Sequence, residues 1–99
     1  MYIEINEFFK QLSEGYLLKE DNLEGMLKWF RDHDYTIANG PDRNLPTAES
    51  ISRDIMLYDT YWEDGELKCK IYVKQEFFDM MISHMKMTHY IEGVKNNVK

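Results

Sequence analysis

Residues 66–74, Glu-Leu-Lys-Cys-Lys-Ile-Tyr-Val-Lys, show the clearest periodicity in the chain. Apolar and polar residues alternate along them, which is typical of a β-strand with one buried face. Asp64-Gly65, just before this stretch, is a preferred two-residue hairpin turn, and the preceding Asp59-Thr60-Tyr61-Trp62 is rich in strand-forming residues. The sequence therefore predicts a β-hairpin of roughly 58–63 with 66–73, and it predicts that Cys69 is a buried, inert thiol.

Apolar residues at helical spacing flank this hairpin on both sides. They predict four helices: from Ile5 to a stop at Gly15, from about Asp21 to His33, from a cap at Thr47 with Ile51, Ile55 and Tyr58 buried, and from about Gln75 to Glu92. An irregular segment over 34–46 separates the second helix from the third. The predicted fold class is α+β, mainly α: three helices, a two-stranded hairpin and a C-terminal helix.

Length and charge restrict the possible classes of protein. Ninety-nine residues fit one domain spanning 1–99. The 18 acidic and 12 basic residues leave a net charge of −6, which disfavours a general polyanion binder. A single cysteine permits no intrachain disulfide, and neither a signal peptide nor a membrane span is expected. These features predict a cytoplasmic location.

The element order and one short run resemble a known family. Three helices followed by a hairpin, together with Leu45-Pro46-Thr47-Ala48-Glu49-Ser50-Ile51-Ser52-Arg53, resemble the winged helix-turn-helix proteins of phages and plasmids. The resemblance covers about residues 46–74. It implies that the third helix binds double-stranded DNA in the major groove and that the hairpin acts as a wing.

The resemblance implies a set of DNA-contacting residues. Arg53 would contact a base edge, while serines and lysines would contact phosphates. The predicted DNA-binding residues are Arg43, Thr47, Ser50, Ser52, Arg53, Lys68, Lys70 and Lys74. A simpler interpretation stays open, since Glu49 and Arg53 also have the spacing of an ordinary surface pair, and lysines commonly protect a strand edge.

The last predicted helix carries apolar residues on more than one side. Phe77, Met80 and Met87 lie away from the stripe that would face the core, and one small domain has few other elements to cover them. This pattern predicts a homodimer with these three residues in its interface.

No catalytic or cofactor site is predicted. His84 and His89 are five residues apart, so on a helix they would point in different directions and could not share a metal ion. Phosphate-binding loops and nucleophile motifs are also missing from the sequence. We therefore expect neither an enzyme nor a bound cofactor or metal.

Two functions remain as hypotheses. The first is a DNA-binding or DNA-associated accessory protein of a mobile genetic element. The second is an acidic protein-interaction module or inhibitor that binds another protein instead of DNA. The net charge of −6 and the acidic hairpin turn Glu63-Asp64-Gly65-Glu66 favour the second.

Overall fold

A computed structural model describes residues 1–95 of the chain. Its elements are β1 (Tyr2–Glu4), α1 (Ile5–Gly15), β2 (Tyr16–Leu18), α2 (Leu23–Asp32), α3 (Ala48–Ser52), β3 (Met56–Glu63), β4 (Glu66–Lys74), a 3₁₀ turn (Gln75–Phe77), α4 (Phe78–Met87) and β5 (Ile91–Val94). The fold is α+β, with four helices and five strands within this part of the chain.

The strands form two antiparallel sheets. In the larger sheet β4 lies between β1 and β3, so that Val73 pairs with Ile3 on one side and with Met56 on the other. The smaller sheet pairs β2 with β5, where Leu18 lies opposite Ile91. The first strand of the chain therefore completes the larger sheet, and the last described strand completes the smaller one.

The core lies between α1, α2, α4 and the base of the larger sheet. Phe8 is fully buried at its centre, with its ring centroid 6.1 Å from that of Phe30 and 5.2 Å from that of Phe78. The largest fully buried side chains are those of Phe8, Leu12, Met26, Phe30, Met56, Val73, Met81 and Met85. Helices and sheet thus share one hydrophobic cluster.

The hairpin of β3 and β4 projects from this body. Met56 and Val73 at its base are fully buried, but from Tyr58 to Lys70 nearly every residue is exposed. The described residues extend over 47 × 27 × 25 Å, an elongated shape that accommodates such an arm. The sequence prediction of a hairpin is confirmed, and the strands extend to Met56 and Lys74.

The prediction of a mainly α, winged-helix-like fold is wrong. Three of the five strands, β1, β2 and β5, were not predicted. Each has only three or four residues, too few to show an alternation of apolar and polar side chains. The predicted helix over 75–92 ends at Met87, since the chain reverses at His89 (φ 66°) and then forms β5. The structure therefore has two antiparallel sheets instead of a single wing.

The predicted third helix is also much shorter than expected. It ends after Ser52, and Asp54 takes a left-handed conformation with φ 59°. Of its three predicted buried residues only Ile55 is buried, whereas Ile51 is 43% exposed and Tyr58 lies on β3. Five residues make little more than one turn, so α3 presents no extended face to a DNA groove.

The start of α2 supplies a stability prediction. At Gly25, which is buried, an alanine Cβ would lie 2.5 Å from Glu20 Cβ and 2.9 Å from Glu20 O. Backbone would have to move, so we expect Gly25→Ala to lower the free energy of unfolding by about 1–3 kcal/mol in urea denaturation. Gly15→Ala is the matched control, because no atom lies within 4 Å of its added Cβ. Equal unfolding midpoints for the two variants would contradict the steric explanation.

Candidate interaction surface

The residues that were predicted to bind DNA lie in two separate places. Thr47, Ser50, Ser52 and Arg53 surround α3 near the body, while Lys68 and Lys70 lie on the projecting part of β4. Thr47 Oγ1 accepts a hydrogen bond from Ser50 N at 3.2 Å, and this bond caps α3.

Three of the α3 side chains are already engaged within the chain. Ser50 is 3% exposed and donates to Tyr35 O at 2.8 Å, so its hydroxyl is not available to DNA. Thr47 donates to Asp34 O, and Ser52 donates to Glu49 O. The bonds of Ser50 and Thr47 join α3 to the start of the irregular segment over 34–46, and the bond of Ser52 lies within α3. Among the four predicted contacts here, Arg53 is the exposed cation.

The basic side chains on the hairpin and loop lie beside acidic or aromatic groups. Lys68 Nζ is 3.8 Å from Glu63 Oε1, Lys70 Nζ lies 5.5 Å above the Tyr61 ring, and Lys70 also pairs across the strands with Asp59. The lysine face of the hairpin is therefore largely neutralised by its own carboxylates, which reduces its attraction for phosphate.

Two further basic residues that were predicted to bind DNA form ion pairs with acidic residues outside the projecting part of the hairpin. Arg43 lies 3.5 Å from Glu24, and Lys74 forms an ion pair with Asp54. The hydrogen bond between these last two groups raises the pKa of Lys74 and lowers that of Asp54. Both cations therefore contribute to local structure.

The opposite face of the hairpin carries apolar side chains. The antiparallel register places Trp62 opposite Leu67, Thr60 opposite Cys69, and Tyr58 opposite Ile71. We call these six residues the hairpin face. It continues the surface that is buried at Met56 and Val73, because residues two apart on a strand share a face.

Most of the hairpin face is open to solvent. Trp62 is 73% exposed and Leu67 is 57% exposed, although both side chains are large and apolar. Cys69 is exposed, so the prediction of a buried thiol is wrong: the alternation of β4 continues past the end of the body that would cover it. Only Ile71, nearest the base, packs partly against the core.

The tip of the hairpin is acidic. Asp64 and Gly65 have φ of 51° and 78°, as a two-residue type I′ turn requires. Glu63 and Glu66 flank the turn and lie opposite each other in the register. The projecting arm thus presents an exposed apolar face with carboxylates at its end.

A second feature, which sequence reasoning missed, is an aromatic and histidine cluster on the body. The Tyr35 hydroxyl is 2.9 Å from His84 Nδ1, the Trp29 ring stacks on Tyr35 at 5.5 Å, and the His33 and His84 rings are 4.9 Å apart. These residues come from two separate segments, residues 29–35 and α4, so only the folded chain brings them together. Among residues 1–95 no three potential metal ligands cluster, and we interpret this contact as structural.

The histidine pair predicts a dependence of stability on pH. Burial, and secondly the neighbouring His33, lower the pKa of His84 below its usual value. The folded state therefore disfavours protonated His84, so stability is full above a pH of about 6.5 and falls as the pH drops below it. We expect a lower urea midpoint at pH 5.5 than at pH 7.5. His84→Asn should reduce this difference and the control His89→Asn should preserve it; an unchanged difference in His84→Asn would contradict the assignment.

The three predicted dimer residues lie around α4. Phe77 packs partly against the core, whereas Met80 is half exposed and Met87 is 77% exposed. Tyr90 and Ile91, which the sequence prediction placed on this helix, lie beyond its end and are buried. The helix α4 therefore exposes fewer apolar residues than predicted. The predicted dimer interface stays a prediction.

Comparisons with protein-family models, with curated proteins and with solved structures find no match for this chain. Within the described residues, no helix is both long enough and apolar enough to cross a membrane.

Proposed function

We propose that this chain is an acidic protein-interaction module that binds another protein through the hairpin face. The single observation that carries the proposal is the pair Trp62 and Leu67, two large apolar side chains that lie opposite each other and are mostly exposed. Tryptophan is one of the residues most enriched in the binding hot spots of protein interfaces. Contiguous apolar surface of this kind usually marks a site of interaction.

The charges around the face define the chemistry of the partner. Glu63, Asp64 and Glu66 lie at its tip, and the whole chain has a net charge of −6. A complementary partner is therefore a protein with an apolar groove bordered by lysine or arginine. Electrostatic attraction of this sort mainly accelerates association, so added salt should slow binding more than it speeds release.

DNA binding has less support. Its strongest argument was the resemblance to winged-helix proteins, and the fold differs from theirs. Several of the basic residues proposed for it pair with acids of the chain itself, as with Lys68 and Glu63. DNA binding stays a prediction, and we propose a cytoplasmic location because the exposed thiol of Cys69 is suited to a reducing compartment.

A matched pair of variants tests the proposal. Trp62→Thr removes the most exposed large side chain of the hairpin face, whereas Tyr61→Thr removes the neighbouring aromatic ring on the opposite face of the same strand. The partner is captured from cells of the source with the immobilised wild-type chain, purified, and titrated against all three proteins. We expect Trp62→Thr to weaken binding by about 2 kcal/mol, roughly 30-fold in Kd. Tyr61→Thr should stay within about threefold of the wild type, as residues around a hot spot usually do.

Two results would contradict the proposal. One is a Kd for Trp62→Thr equal to that of the wild type in a variant that circular dichroism shows to be folded. The other is tight binding of the wild type to a pool of random DNA duplexes at low salt with a steep loss on adding salt, which is the signature of phosphate contacts.

A further inference from the structure

The outer edge of β3 is an open strand edge. β3 is the last strand of the three-stranded sheet, and no other strand within residues 1–95 pairs with its outer side. Edge strands are usually protected by lysine, proline or a β-bulge. Met56–Glu63 contains neither lysine nor proline, and its pairing with β4 is regular. This edge therefore offers a row of backbone donors and acceptors.

The turn determines which residues point their backbone groups outward. A two-residue turn closes with a hydrogen bond between its flanking residues, here Glu63 and Glu66. Hydrogen-bonded and non-hydrogen-bonded pairs then alternate along an antiparallel ladder. Tyr58, Thr60 and Trp62 consequently direct their N–H and C=O groups away from β4, toward the open edge.

We propose that a second copy of this chain pairs antiparallel with this edge, around a two-fold axis at Thr60. Thr60 then lies opposite Thr60 of the second copy, and Tyr58 lies opposite Trp62 in both directions. Each of these three pairs exchanges two backbone hydrogen bonds, because all of the groups involved point outward. The two sheets become one continuous sheet across the axis.

The side chains single out this register. Centring the axis at Thr60 produces two aromatic cross-strand pairs and a threonine pair on one face, all of which stabilise sheets. Moving the axis to Asp59 places that carboxylate opposite itself, and moving it to Tyr61 places Asp59 opposite Glu63. Like charges directly opposite each other are destabilising, so both neighbouring registers are disfavoured.

Charge also favours the pairing at its two ends. In the Thr60 register, the acidic turn of each copy lies beside the start of β3 in the other copy. Arg53, three residues before Met56, is exposed at that end of the strand, and the adjacent Asp54 is paired with Lys74. The pairing therefore brings carboxylates toward a cation and keeps the two acidic turns far apart.

The pairing is compatible with the proposed function. It uses the backbone edge of β3, whereas the proposed protein partner contacts the side chains of the hairpin face. Opposed residues of an antiparallel pair share a face, so the two hairpin faces lie side by side on the dimer. One strand edge is a small interface, which makes the dimer weak and transient.

Thr60 on the axis permits a charge-swap experiment. Thr60→Lys and Thr60→Asp each place two like charges opposite each other, while an equimolar mixture of the two places opposite charges there. The measurement is sedimentation equilibrium from about 20 to 500 μM, a range suited to weak association, with reductant to keep Cys69 reduced. Thr60→Val is the matched control, since it retains the outward N–H and the branched shape. Circular dichroism checks that each variant is folded.

The proposal predicts a concentration-dependent dimer for the wild type and for Thr60→Val. Each charged variant alone should dissociate at least about tenfold more readily, and the mixture should regain dimer as a heterodimer. A wild type that is monomeric over the whole range overturns the proposal. So does a mixture that associates no better than its components, or a dimer that is lost in Met80→Glu and unaffected in Thr60→Lys, since the α4 face would then be the interface.

Discussion

Phe8→Ala is expected to shift the urea midpoint of unfolding far below that of the wild type. Phe8 is fully buried, and its ring contacts those of Phe30 and Phe78. Truncating a buried phenylalanine costs about 3–5 kcal/mol, because apolar contacts are lost and a cavity remains. A small domain has only about 5–15 kcal/mol of total stability, so this single change can remove most of it.

The measurement is urea denaturation followed by circular dichroism. Phe9→Ala provides the matched control, since the neighbouring ring is only partly buried and packs at the margin of the core. Its unfolding midpoint should fall less. If Phe8→Ala and Phe9→Ala lose equal stability, Phe8 is not at the centre of the core.

Shortening the hairpin is expected to abolish partner binding while the body stays folded. Replacing residues 60–69 with Asn-Gly joins Asp59 to Lys70, which already lie opposite each other in the register. That pair is hydrogen-bonded, as a two-residue turn requires, and Asn-Gly is a preferred sequence for such a turn. The excised segment contains Trp62 and Leu67 but none of the buried core residues.

The thermal midpoint and the Kd for the captured partner are measured for the same preparation. We expect binding to weaken at least about a hundredfold, because the hot-spot side chains are absent. The free energy of unfolding should change by no more than about 1 kcal/mol, as for other changes outside the core. Retained binding would place the recognition surface elsewhere, and a collapse of the thermal midpoint would mean that the arm supports the body.

The long elements could be predicted from the sequence. The β4 alternation and the Asp64-Gly65 turn identified the hairpin, and the apolar spacing before Gly15 identified α1. Each of these signals is local and repeats over several residues. The periodic pattern therefore outweighs the effect of any single tertiary contact.

The short strands could not be predicted in the same way. β1 and β5 have three and four residues, and each is held by pairing with a strand that is distant in sequence. α3 shows the converse effect: its helical spacing continues to Tyr58, but the bond from Ile55 N to Ser50 O accompanies the end of the helix. Long-range pairing decided the strands, whereas the local left-handed turn at Asp54 ended α3.

The sequence could predict which residues form the hairpin face, but not that this face is exposed. Alternation showed which residues share a face of the hairpin, but it could not show that the body covers that face only near Met56 and Val73. Cys69 was therefore placed in the core. The pairing of Trp62 with Leu67 followed from the turn, whereas their exposure depends on how far the arm extends beyond the helices.

Hydrogen–deuterium exchange of the chain, free and bound to its captured partner, tests most directly whether the hairpin is the recognition element. The amides of β3 and β4 from Tyr58 to Ile71 should exchange more slowly in the complex, and those of α4 should be unchanged. Free chain is measured at low micromolar concentration, about tenfold or more below the range used for self-association, so that the weak dimer does not contribute. Protection confined to α4 or to the loop over 34–46, with the hairpin exchanging as in the free chain, would contradict the account.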